Sequence, residues 1–99
     1  MISALSTATS GLQAASLRLD ASAHNVANAM TPGFRREEVR ASARAEGGVE
    51  AHTERAASPG VSLEQEVVDQ MAAALSFKAN VKVIETVDRT LGRLFDEKA

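Results

Sequence analysis

The stretch HNVANAMTPGFRR, His24 to Arg36, decides how this chain is organised, because a helix-compatible run meets an abrupt stop there. Thr31 is β-branched and precedes a proline, so it is pushed out of the helical region and the helix must end by Met30. Pro32 and Gly33 then suit the two central positions of a type II turn, where glycine supplies the positive φ. Asn25 and Asn28 stand three apart on one helix face, where their amides can bond the free carbonyls of the last turn or a neighbouring backbone. With Thr31, Pro32, Gly33 and Phe34 these residues make a corner, read either as a capped helix end or as a shape that docks on another subunit.

Upstream of the corner, Leu5, Leu12, Leu19 and Val26 recur every seven residues, with Ala8, Ala15, Ser22 and Ala29 three places after each. This heptad stripe predicts one long helix over residues 4–30. Large and small residues alternate along it, which permits close approach of a partner helix but buries little area within the segment.

Downstream, SPGVS at Ser58 to Ser62 punctuates the chain, and Ser62 followed three residues later by Gln65 fits a capping box. No proline follows. Leu63, Val67, Met71, Ala74, Phe77, Val81, Ile84, Leu91 and Phe95 recur at three, four or seven, so residues 62–96 read as a second amphipathic helix. Gly92 is its weak point, costing about 1 kcal/mol relative to alanine. Between the helices, residues 35–61 hold almost no large apolar side chain beyond Phe34 at their edge, Val39 and Val49. They read as a short extended arm followed by a flexible, charged loop containing EGG at Glu46 to Gly48.

The expected fold class is therefore all-α: two long helices, N- and C-terminal, pairing as an antiparallel coiled-coil hairpin, with an irregular or partly extended middle segment. Residues 1–34 and 62–99 form one helical domain around a variable segment at 35–61. At 1.5 Å per residue the helices would span roughly 40 and 50 Å, so the molecule must be elongated. A two-helix hairpin buries too little apolar surface to be secure alone, which predicts assembly with other chains. The expected assembly seam is Leu5, Leu12, Leu19 and Val26 of the first helix with Val67, Met71, Ala74, Phe77, Val81, Ile84, Leu91 and Phe95 of the second.

Composition narrows the function classes. The chain has 99 residues, three Phe, no Trp or Tyr, and no Cys, which rules out disulfides and thiol nucleophiles. A formal charge of −2, with Glu37, Glu38 and Glu46 interrupting Arg35, Arg36, Arg40 and Arg44, argues against a nucleic-acid partner. No basic segment precedes a continuous apolar run at the N-terminus, and nothing approaches the roughly 20 apolar residues of a membrane span; membrane insertion and a cleaved signal are not expected. His24 and His52 have no partners at triad or metal spacing, and Asp88, Asp96 and Glu97 are interleaved with basic residues as on a solvated face. An enzyme, a cofactor and a metal are not expected.

The two ends together resemble the bacterial flagellar axial family of rod, hook and hook-associated proteins. SALSTATSGLQAASLRLDASAHNVANAMTPGF resembles that family's basal body rod signature, a long helix ending at an Asn-rich Thr-Pro-Gly-aromatic corner. GVSLEQEVVDQMAAALSFKANVKVIETVDRTLGRLFD resembles its C-terminal helix and is most similar to the short proximal rod proteins. The signature falls on Asn25, Asn28, Thr31, Pro32, Gly33 and Phe34, and the C-terminal motif on Phe77, Ala79, Asn80, Val83, Ile84, Thr86 and Asp88. Met30 stands where the family usually has Asn, and the middle segment is shorter than in most relatives. The resemblance implies a structural, non-enzymatic subunit of the basal body rod that spans the periplasm. It implies terminal helices that pack with those of other axial proteins and of further copies, and export through the flagellar type III apparatus without a cleaved signal. A competing reading is a cytoplasmic helical-hairpin adaptor, or a non-assembling paralogue, that binds other axial or export proteins.

Overall fold

A computed structural model describes residues 2–98, with side chains from residue 3 to 96; the expected domain limits at Met1 and Ala99 lie outside the described residues. Helix α1 runs Ile2–Ala27, strand β1 Glu37–Ala43, strand β2 Val49–Arg55 and helix α2 Leu63–Lys98. The molecule extends 63 × 26 × 14 Å, as two long helices side by side require.

The helices run antiparallel. Gly11 of α1 lies against Asn80 of α2, whereas the Ser22 hydroxyl donates to the Glu66 carbonyl (3.1 Å), so partner numbers fall as α1 numbers rise. Their contact is built from small side chains: Ala8, Ala14, Ala15 and Ala21 of α1 and Ala73 of α2 are the buried apolar residues. Alanine brings two helices close but removes little apolar surface per residue from water, so the hairpin core is thin.

Helix α1 ends where the corner dictates. The Phe34 N–H donates to the Thr31 carbonyl (3.2 Å) and Gly33 has φ 72°, so Thr31 to Phe34 forms the turn that Pro32-Gly33 favours. At the start of α2 the Gln65 N–H reaches the Ser62 hydroxyl at 3.4 Å, a long cap. The Gln65 side chain turns forward to Asp69 (2.9 Å) instead of back toward Ser62, so only half of a capping box forms.

The expected all-α fold with an irregular middle segment is corrected. β1 and β2 pair antiparallel from Glu37↔Arg55 to Ala43↔Val49, a regular hairpin in place of the expected short extended arm and flexible loop. The strands carry no strong apolar alternation, so periodicity did not reveal them. Their order comes from the backbone ladder, the turn and tertiary anchors. Gly47 and Gly48 take φ of 103° and 83°, and the Arg44 N–H donates to the Gly48 carbonyl (3.0 Å), which closes the turn. Glu38 and Glu54 face each other as like charges, and Arg40 bridges them, at 3.2 Å from Glu38 and 3.5 Å from Glu54. The hairpin lies on α1 and is tied to it at both ends.

Candidate functional site

Those two ties are side-chain hydrogen bonds from α1 to strand backbone. The Glu37 N–H donates to Asn25 Oδ1 (2.7 Å) while Asn25 Nδ2 donates to the Glu37 carbonyl (2.9 Å), so one amide side chain stands in for a neighbouring strand. At the other end the Val49 N–H donates to the Ser10 hydroxyl (3.1 Å). Asn25 is only 1% exposed and so must have partners for both its polar atoms.

Asn25 also opens a buried polar cluster where α1, β1 and α2 meet. Its Nδ2 donates to Glu66 Oε1 (3.0 Å), and Arg36 Nε donates to the same oxygen (3.1 Å). Arg36 spreads its fork further, to Glu38 (2.9 Å) and to Asp69 (3.4 Å), so one guanidinium holds carboxylates from β1 and α2. The Ser22 hydroxyl donates to the Glu66 carbonyl and accepts from Gln70 Nε2 (3.1 Å). The Glu66 side chain is 1% exposed, and its Oε2 has no hydrogen-bond partner among the described residues. The cluster borders an open cleft of about 440 Å³ between the β1 edge and α2, with Ala72, Ala73 and Ser76 on the α2 wall.

Apart from Asn25, the corner residues make their contacts outside this cluster. Asn28 Nδ2 donates to the His24 carbonyl (2.9 Å), which fills a last-turn acceptor, and the Thr31 hydroxyl donates to Asn28 Oδ1 (3.2 Å). Phe34 is met edge-on by the His24 ring at 5.5 Å, and the Arg55 guanidinium lies 5.7 Å from its centroid. Pro32 and Gly33 are exposed. The corner residues thus sit together at one end of α1.

The residues of the expected assembly seam are divided between half-buried and exposed positions, and none is among the fully buried apolar residues of the hairpin. Leu5 and Val26 are exposed, and Leu12 and Leu19 are half-buried. On α2, Ala74, Val81 and Ile84 are half-buried, whereas Val67, Met71, Phe77, Leu91 and Phe95 are exposed, Met71 at 68% and Phe95 at 73%. Leu63, Val68, Leu75, Val83 and Leu94 add further exposed apolar surface to α2. The sequence reading missed Ser10, Arg36, Glu66, Asp69 and the approach of Asn80 to Gly11. One signal was present: Glu66, Ala73 and Asn80 repeat at seven, in step with Ala8, Ala15 and Ser22 on the other helix.

The arrangement ties β1 to both helices through side-chain hydrogen bonds and ion pairs. Ser22 and Ser76 border the cleft without a histidine beside them, and no group of three His, Cys, Asp or Glu able to hold a metal occurs among the described residues. No helix of the described residues is long and apolar enough to cross a membrane.

Two family models match the chain. Residues 5–35 match "Flagella basal body rod protein" and residues 55–96 match "Flagellar basal body rod FlgEFG protein C-terminal". The first ends just past the corner, and the second takes in the end of β2 and nearly all of α2. No curated protein matches the chain.

Proposed function

The chain belongs to the flagellar basal body rod family, and from that premise we propose that it is a structural, non-enzymatic subunit of the rod whose helices bind neighbouring axial subunits. As a rod-family component it has its place in the basal body, among other axial proteins. The observation that carries the proposal is the division of labour on the helices. Alanines close the hairpin, which leaves Val67, Val68, Met71 and Leu75 exposed together along one face of α2, an apolar patch that suits cover by a neighbour. Neighbouring helices cover this patch, in a coiled-coil manner, together with the leucine stripe of α1. The chain travels to its place through the flagellar type III apparatus, and a thin, alanine-built core suits passage in an unfolded state.

The test is incorporation. Val67→Asp with Met71→Asp changes two exposed positions and leaves the alanine contact untouched, so the hairpin keeps its helicity while incorporation into basal bodies is lost. Leu12→Asp with Leu19→Asp has the same effect on incorporation while synthesis continues. Normal incorporation of both double variants would overturn the proposal.

A further inference from the structure

The β-hairpin has two free edges, and its hydrogen bonds reveal which backbone groups point outward. The Ala56 N–H donates to the Arg36 carbonyl (2.9 Å) and the Arg44 N–H to the Gly48 carbonyl (3.0 Å). Even-numbered residues of β1 therefore face β2, and odd-numbered residues of both strands face away. Helix α1 agrees with this pattern, because the two outward positions it caps are Glu37, by Asn25, and Val49, by Ser10. Among the described residues no side chain bonds the outward N–H and C=O groups of Val39, Ala41 and Ala43 on β1, or of Ala51, Thr53 and Arg55 on β2. An edge left open in this way is a template for another strand.

One register matches all of these groups at once. If the β2 edge of a second copy lies antiparallel beside β1 with Thr53 opposite Ala41, then Val39 meets Arg55 and Ala43 meets Ala51. Arg40 then stands opposite Glu54, and no like charges face each other. Sliding by two residues one way puts Glu38 opposite Glu54 and spends Ala43 on the capped Val49; sliding the other way leaves Val39 unmatched. The basic end of the incoming strand comes to the open cleft beside β1, where Glu66 keeps an oxygen without a partner. We propose that the β1 edge of each copy pairs with the β2 edge of the next in this register, joining hairpins head to tail. The proposal rests on the rod-subunit reading, since a heterologous contact of this kind propagates along an open helical assembly, whereas β1 pairing with β1 closes a dimer.

The chain has no cysteine, which permits a direct test. Ser42 and His52 are exposed and would lie directly opposite in the new ladder, at a non-hydrogen-bonded pair whose spacing of about 4.5 Å suits a disulfide. S42C and H52C are prepared as separate proteins, mixed at high concentration and oxidised, and are also co-expressed in the host for oxidation within purified basal bodies. The mixed 42–52 disulfide is expected to exceed either homodimer by about tenfold. Ala41→Pro, which removes only an outward N–H and keeps the hairpin's own ladder, is expected to abolish that excess. Equal yields of homodimer and mixed dimer, an adduct with a different protein, or an excess that survives Ala41→Pro would overturn the proposal. The chain present in basal bodies without the 42–52 adduct would overturn edge pairing alone and leave the rod-subunit reading standing. The chain absent from basal bodies would overturn that reading, and the purified mixture would then decide edge pairing by itself.

Discussion

Arg36→Met removes the guanidinium that joins β1 to α2 while keeping most of the side-chain volume. In the folded chain Arg36 is a quarter exposed and sits 3.1 Å from Glu66, whose side chain is 1% exposed. Taking one partner from a buried ion pair costs about 3–5 kcal/mol, because the remaining charge stays desolvated. Here Asn25 still donates to Glu66, and the links to the more exposed Glu38 and Asp69 are each worth less than about 1 kcal/mol, so the lower figure applies. The expected loss is about 3 kcal/mol, which at a urea dependence of about 1–1.5 kcal/mol/M lowers the unfolding midpoint by about 2–3 M. Far-UV circular dichroism of urea titrations measures it, at fixed protein concentration because assembly would shift the midpoint. Arg36→Met combined with Glu66→Met should recover most of the loss, since the uncompensated charge is then gone. A single variant within about 0.5 kcal/mol of the parent, or a double variant no better than the single one, would refute this account of the cluster.

Asn25→Asp replaces the only donor that serves both the Glu37 carbonyl and Glu66, and sets a second carboxylate beside Glu66. A loss of about 3 kcal/mol is expected, and hydrogen exchange should show β1 opening from α1 near Glu37. At Gly33, with φ 72° and open space around it, alanine costs about 1 kcal/mol of strain. At Gly48 a Cβ would in addition lie 2.6 Å from Ser10 Oγ, so Gly48→Ala should be the more damaging of the two in thermal unfolding and should weaken the tie from Ser10 to Val49. The hydrogen bond with His52 holds the Glu54 carboxyl below its ordinary value of 4.5, outweighing slight desolvation, with the charge of Arg40 acting in the same direction. The folded value lies below the unfolded one, so this contribution is complete above the ordinary value and is lost as pH falls through the lowered one. His52→Ala should raise the Glu54 titration midpoint in NMR.

The two helices and their corner were legible because each rests on a strong local rule. Thr31-Pro32 stops α1, Gly33 supplies the positive φ, and the heptad spacing carries both helices to within a few residues of their observed ends. Which residues face which partner was less legible. A stripe that alternates Leu with Ala can be used from either side, and the chain turns Ala8 and Ala15 inward while Leu5 stays exposed. A charged residue at a core position, such as Glu66, looks like surface until Arg36 is brought from a distant segment to meet it. The β-hairpin was hidden for the same reason. Its strands have little apolar alternation, and what orders them is Asn25 and Ser10, neither of which is near them in sequence.

The most direct test of the rod-subunit account is whether the protein is part of the basal body. Basal bodies purified from the native host through detergent and high salt, then analysed by quantitative mass spectrometry, should contain this chain at several copies per particle. Its absence from particles of cells that demonstrably make the protein would contradict the account.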